Sequence, residues 1–341
     1  MKRSSFIVSV VFLVALGLVM CGVGIDKSFA AKDPKQIIIR IGHVSRTDNP
    51  RGVSAEVWKK GVEARTKGQV KVEIYPAGQL GHNIQMEEAV LLGSLDGTIP
   101  TTAFTFNITP VYSMFDLPFL FSDQESVVKF LNSKTGTDLL KAVEPKGYKV
   151  LAMWPTGFKW LTANKPIHSV ADLKGLKVRV MASDVLINQY KSWSASATPL
   201  PLPSLYNALA QGTIDAEENT FGMIHDRRLY EPQKYLIESN HSLTMDVLLV
   251  NKRWFDKLSK DMQVILVEEA QKITDQRWRW EMDRNAKLVE KIKGLGKNEF
   301  IKLSDEAKKE FRQMAQPTYD AFVKANPSLA PVLQEIMAKY N

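Results

Sequence analysis

From Ser259 to about Lys293 the chain keeps a helical pattern of apolar residues with no glycine or proline to interrupt it. Ser259 supplies an N-cap hydroxyl ahead of the run. At 1.5 Å per residue such a helix is about 50 Å long, longer than a single small lobe. It is stable only if it lies along more than one body, with Met262, Ile265, Leu266, Ile273 and Trp280 packed on different neighbours.

What it lies along is written on either side of residue 150. Gln36 to Val44 is a β-branched run fit for a buried strand, followed by a helix over Ser54 to Arg65 that Gly68 stops. Val70 to Tyr75 alternates apolar and polar residues, and Pro76-Ala77-Gly78 then turns into a second helix over Ile84 to Leu92. Strand, helix, strand, helix is the order of an open α/β sheet with right-handed crossovers. A second series runs through Gly147 to Met153, Leu176 to Met181, a helix at Asp184 to Ser192, a strand at Thr198 to Leu202 and a helix at Leu205 to Gln211. A strand at Val247 to Asn251 precedes the long helix. The tail from Ser304 shows two shorter helical patterns, split by Pro317 and by Asn326-Pro327. The expected architecture is therefore α/β in two lobes.

The first thirty residues read as a secretory signal, with Lys2 and Arg3, an apolar run from Phe6 to Val19, and Ser28-Phe29-Ala30 before a mature start at Ala31. The apolar run is shorter than the ~20 residues of a membrane span, and no later segment approaches one. Met20 stands where lipidation of Cys21 requires a small residue. Cys21 is the only cysteine and leaves with the signal, so the mature chain holds no disulfide and no thiolate metal site. Without Lys2, Arg3, Lys27 and Asp26, 42 basic residues face 36 acidic ones, a net +6. These are interspersed, with no basic run or zinc-finger spacing, which argues against nucleic acid. The mild excess favours anions by long-range steering.

Enzymatic signatures are missing. There is no G-x-S-x-G, H-E-x-x-H, P-loop or G-x-G-x-x-G, and His43, His82, His168, His225 and His241 are scattered without metal spacing. Glu217 and Glu218 are adjacent, so on a strand they point to opposite faces and form no carboxylate pair. An exported hydrolase-like α/β enzyme acting on carboxylate esters is the alternative, and it lacks a visible nucleophile and base. No cofactor is expected.

Three stretches carry a specific pattern: Tyr75-Pro-Ala-Gly-Gln-Leu-Gly81 after Thr66-Lys-Gly68, Leu173-Lys-Gly-Leu-Lys-Val-Arg-Val180, and Leu205-Tyr-Asn-Ala-Leu-Ala-Gln-Gly-Thr-Ile-Asp-Ala-Glu-Glu-Asn219. With Phe115-Asp-Leu-Pro-Phe119, and in this order from about Ile37 to Ala338, they closely resemble the extracytoplasmic solute receptors of TRAP transporters, the DctP family. The resemblance implies two α/β lobes joined by crossing strands, a long helix spanning both, and closure around a solute. Its boundaries are lobe I at 31–156 plus 245–285 and lobe II at 157–244 plus 286–341. It also implies a periplasmic location and a permease of small and large membrane subunits driven by an ion gradient. A small organic acid is the implied solute.

The arginine of the family's K-x-R-V segment, which holds the solute carboxylate, corresponds to Arg179. A guanidinium offers two parallel donors matched to a carboxylate and stays charged. The asparagine of the D-G-x-E-N motif corresponds to Asn219, with Ala216 in place of the usual glycine. Lys159 stands where sialic-acid-type members carry a second arginine. Thr101 and Phe104 replace the glutamate and arginine of those members, which argues against sialic acid. Trp160 and Phe221, beside stretches that line the cleft in relatives, point to an apolar or aromatic acid; the family's generic label is C4-dicarboxylate binding, and Arg179 with Lys159 could serve two carboxylates, while Asn83 completes the implied contacts.

Overall fold

Ile39 and Ile41 are fully buried on β1 (Ile37–Gly42), the strand the β-branched run predicts. After it come α1 (Pro50–Arg65), β2 (Val70–Tyr75), α2 (Asn83–Leu92) and β3 (Gly97–Thr98). Two 3-10 segments, Thr102–Asn107 and Pro110–Asp116, lead to α3 (Gln124–Leu131), α4 (Lys134–Leu139) and β4 (Tyr148–Ala163). The second series is β5 (Lys177–Val180), α5 (Asp184–Ser192), β6 (Ser196–Pro199), α6 (Leu202–Ala210), β7 (Ala216–Thr220), α7 (Phe221–Asp226), β8 (Tyr235–Glu238) and β9 (Leu243–Asn251). Next are α8 (Lys252–Phe255), α9 (Lys260–Lys293), β10 (Glu299–Lys302), and the tail helices α10 (Asp305–Met314), α11 (Gln316–Ala325) and α12 (Ala330–Lys339). The computed structural model describes residues 36–341; the expected signal, its cleavage site and Cys21 lie outside them.

The strands lie in the order β2-β1-β3-β9-β4-β7-β5-β6, with β8 pairing β4 and β10 pairing β8. β1 is parallel to β2 and β3, and β5 is parallel to β6 and β7, so each half is built from crossovers. β4 belongs to both halves. As far as Phe158 it pairs antiparallel with β9, and from Lys159 onward with β7. The change of partner comes two residues after a register shift between Pro155 and Gly157. Gly157 adopts φ 124°, a backbone state that a side chain disfavours. The sequence pattern predicts a strand ending at Met153; the observed β4 runs ten residues further, through a proline and a glycine that read as breakers.

Asn49 caps α1, its side chain accepting from Arg51 N, and Pro50 occupies the first turn, where a missing N–H costs nothing. The helix therefore starts four residues before the predicted Ser54. α5 and α9 fall on their predicted bounds, and Ser259 Oγ accepts from Met262 N as the cap expects. β6 ends earlier than predicted, because α6 already begins at Leu202. The tail forms three helices, with Pro317 inside the first turn of α11 instead of in a gap. Its Phe311 packs with Val178 and Trp193, whereas Phe322, Leu333 and Ile336 pack with Phe115 and Phe130.

Different stretches of α9 pack in different cores. Leu266, Ile273, Met262 and Trp280 pack with Ile39, Trp58, Val72 and Trp154 of the β1 half. Further along, Leu288, Val289 and Ile292 pack with Leu205, Phe221 and Ile224 of the β7 half. The two halves thus share both a strand and a helix. Two buried indoles fasten α9 in place: Trp58 Nε1 of α1 donates to Leu266 O at 3.1 Å and Trp154 Nε1 of β4 to Ala270 O at 2.9 Å. Trp154→Ala should cost about 3–5 kcal/mol through the cavity it leaves. Trp154→Phe, which loses chiefly the hydrogen bond, should cost about 1 kcal/mol. Midpoints of urea unfolding measure both.

Candidate functional site

Strand alternation sorts the side chains of the β7 half. Arg179 on β5 is in register with Glu217 on β7; Glu217 faces Thr162, and Asn219 faces Trp160 on β4. Cross-strand partners share a face and sequence neighbours do not. Arg179, Glu217, Asn219, Trp160 and Thr162 therefore lie on one face of the sheet. Lys159, Leu161, Glu218, Val178 and Val180 lie on the other. As their adjacency requires, Glu217 and Glu218 part company.

On the first face, Arg179 is 2% exposed. Its Nε donates to Leu200 O at 2.9 Å, which fixes the guanidinium plane. Among the described residues no carboxylate comes within 4 Å of it and no side chain accepts from its terminal nitrogens. Burial pulls its pKa down, opposed by the charges of Glu217 and Glu218. Glu217 itself is pushed up to about 7, chiefly by burial, against the Asn219 amide that donates to it at 2.6 Å and the charge of Arg179. Trp160 stacks edge-on against Phe221 with ring centroids 4.7 Å apart, and Phe221 is buried in the core that also holds Leu205 and Ile224.

On the second face, Lys159 is fully buried and its charge is taken. Its Nζ donates to Glu218 Oε1 at 2.8 Å and lies 3.6 Å from Asp116 Oδ1. Glu218 also accepts from the Tyr190 hydroxyl and lies 2.8 Å from His241 Nε2, while Asp116 accepts from Ser183 Oγ. Burial opposes ionisation of Glu218, but Lys159 and His241 hold it well below the usual carboxylate range. Burial raises Asp116 to about 6, moderated by Lys159. Two of the expected contacts, Lys159 and Arg179, are therefore on opposite sides of the sheet.

The β1 half contributes a second charged cluster. Asp246 on β9 accepts from Arg51 Nε at 3.0 Å and from Arg277 Nη2 at 2.9 Å. Arg51 Nη2 also donates to Thr101 Oγ1 at 2.7 Å, and Arg277 reaches Ser54 and Glu281. The two guanidiniums overcome burial and hold Asp246 below its ordinary value. Burial, then Arg51, lowers His43 to about 4, so it is neutral at physiological pH. Thr101 thus serves this cluster. Phe104, whose N–H donates to Thr101 O, is half-buried against the core containing Val178, Val180 and Met181. Asn83 opens α2 away from those strands, with its Oδ1 buried and unpartnered. Arg51, Asp246 and Arg277 carry no motif in the sequence, and their burial is visible only in the fold.

An α/β scaffold in two halves sharing a strand and a long helix, with one buried arginine left unmatched, is a two-lobed solute receptor. The pattern described as bacterial extracellular solute-binding protein, family 7, the DctP family, matches residues 41–326. The chain belongs to that family. It is 31% identical over 300 residues to the C4-dicarboxylate-binding periplasmic protein DctP of Vibrio cholerae, covering 86% of this chain and 88% of that one. To the 2,3-diketo-L-gulonate-binding periplasmic protein YiaO of Escherichia coli it is 30% identical, covering 87% and 90%. A TRAP periplasmic solute binding protein from Desulfovibrio salexigens, solved with bound orotic acid, superposes with a TM-score of 0.84 at 34% identity, covering 89% of this chain and 99% of that one. One from Shewanella oneidensis with bound succinate gives 0.82 at 26% identity, covering 88% and 98%.

The Asp246 cluster generates a stability prediction. Asp246→Asn leaves two buried guanidiniums without their shared charge and should cost about 3–5 kcal/mol, measured by chemical denaturation at pH 7.

Proposed function

We propose that this chain is the periplasmic receptor of a TRAP transporter, capturing a small organic carboxylate on Arg179 and delivering it to the small and large membrane subunits of a permease. The observation that carries the reading is the charge state of the interior. Arg51 and Arg277 share Asp246, with Glu281 also against Arg277, and Lys159 is paired with Glu218; Arg179 is buried with no carboxylate within 4 Å, its register neighbour Glu217 being raised by burial to about 7. An unpaired buried cation is costly, and a solute carboxylate removes that cost through charge-assisted, bidentate hydrogen bonds. Asn219 and Trp160 share the face of Arg179 and would meet the same solute, with Phe221 behind Trp160. The relatives named above carry names or bound molecules of this class: C4-dicarboxylates, 2,3-diketo-L-gulonate, orotic acid and succinate. They are receptors, and the ester-hydrolase alternative has no support among them.

The boundary between lobe I (31–156 plus 245–285) and lobe II (157–244 plus 286–341) is supported at β4 by its change of partners between Phe158 and Lys159, whereas α11 and α12 pack Phe322, Leu333 and Ile336 with Phe115 and Phe130 of lobe I. Solute bridging the lobes favours the closed arrangement by its differential affinity for that state. Export follows the expected signal with cleavage near Ala30/Ala31, and the relatives' periplasmic designations agree with it.

Arg179→Met should lower affinity for a bound carboxylate by about 2–5 kcal/mol in calorimetry, without lowering the melting temperature of the empty receptor, since no protein ion pair is lost. A large loss of empty-state stability would instead make Arg179 structural. Glu217 adds a pH dependence. Above its pKa of about 7 it ionises beside Arg179 and competes with the solute's charge. Affinity should fall between pH 6 and pH 8, and Glu217→Gln should flatten that slope.

A further inference from the structure

Between the two halves, one side-chain contact is made of atoms that each half leaves over. Asn49, the cap of α1 in the β1 half, engages its Oδ1 with Arg51 N at 3.0 Å, and its Nδ2 is left. The loop before it is pressed onto the first turn of α1 at Gly52, where a methyl group would lie 2.4 Å from Arg46 O. Asp226, the last residue of α7 in the β7 half, is held from its own side. Arg284 Nη2 of α9 donates to its Oδ1, and His225 Nδ1 lies 3.1 Å from the same oxygen. Gly222 makes room for Arg284, since a methyl group there would lie 2.5 Å from Arg284 Nη1. What remains is Asn49 Nδ2 and Asp226 Oδ2, and they meet at 2.8 Å. Asp48 feels the same corner: Arg46 chiefly, and Arg284 further off, hold its carboxyl below the ordinary value. Neither Asn49 nor Asp226 hydrogen-bonds to Arg179, Asn219 or Trp160.

Resting on the reading of the chain as a receptor that closes on its solute, we propose that Asn49 and Asp226 are positioning residues for capture, a latch that is made when the halves meet and that sets how long the solute stays. Each partner is fixed by its own half, so the bond forms with little further ordering of either side chain. A hydrogen bond onto a carboxylate is stronger than one between neutral groups. This one adds to the closed arrangement alone and shifts the balance towards it. The solute enters through the open form and leaves through it, so the latch slows release and leaves entry unchanged. It acts on every solute alike, because it contacts the other half of the receptor and not the solute.

Variants that keep the helix cap separate the latch from the fold. The purified receptor is screened by thermal shift against succinate, orotate, galacturonate and benzoate, and the acid that stabilises it most serves as the probe. Stopped-flow tryptophan fluorescence then gives its association and dissociation rate constants. Asn49→Ser still caps α1 but loses the reaching amide; dissociation should quicken about tenfold, with association changed less than about twofold and the melting temperature of the empty receptor unchanged. Asn49→Asp also caps α1 but sets two carboxylates against each other, and should quicken dissociation further. Combining Asn49→Asp with Asp226→Asn restores an amide facing a carboxylate from the opposite sides, and should bring dissociation back to within about threefold of the native rate. Unchanged dissociation in Asn49→Ser, or a double variant that releases as fast as Asn49→Asp alone, overturns the latch. A lowered melting temperature of the empty Asn49→Ser receptor makes the contact part of the resting fold and overturns it too. No shift with any of the four acids counts against the receptor reading and removes the latch with it, whereas unchanged release of a bound acid counts against the latch alone.

Discussion

Burying a guanidinium or ammonium without a counter-ion costs several kcal/mol, and this constraint organises the interior of the receptor. Asp246 on β9 serves Arg51 from α1 and Arg277 from α9, so one carboxylate joins a strand, a short crossover helix and the long helix. Glu218 on β7 serves Lys159 on β4 and collects Tyr190 and His241 besides. Each cluster is satisfied from elements distant in sequence, which ties register and helix placement to a single arrangement. Arg179 is the exception, with no carboxylate within 4 Å, and on the proposed reading a solute supplies it.

The same constraint gives a physical account of closure. In an open cleft, water solvates Arg179 and the absence of a counter-ion is cheap. When the lobes approach, that water leaves, and only a solute carboxylate repays the loss. On the proposed reading, the empty receptor would favour an open form and the loaded one a closed form. Gly157, one residue before the last β9 pair of β4, and α9, which packs in the cores of both halves, connect the two halves along the chain.

Much of this was legible in the sequence, and the failures have physical reasons. α9 declared itself by an unbroken period and a serine cap, and α5 and β2 by period and flanking turns. β4 was cut short because Pro155 and Gly157 break isolated strands; here the neighbouring strands enforce pairing through a register shift. That one error hid a second. Had β4 been continued to Ala163, alternation would have set Lys159 opposite Trp160, and the pairing of β4 with β7 would have put Lys159 on the side of Glu218, away from Arg179. Arg179 and Asn219 stand out in the sequence only through their motifs, since nothing in composition distinguishes them from other arginines and asparagines. The Asp246 cluster was invisible because its members lie some 200 residues apart in places, and burial of charge is a property of the fold alone.

The account turns on where the solute's charge sits. The most direct measurement is a crystal structure of the receptor with a bound carboxylate. It predicts both carboxylate oxygens within hydrogen-bonding distance of the Arg179 guanidinium, with Lys159 still paired to Glu218. A carboxylate seated on Lys159, or on Arg51 or Arg277 with the Asp246 pairs broken and Arg179 untouched, would contradict it.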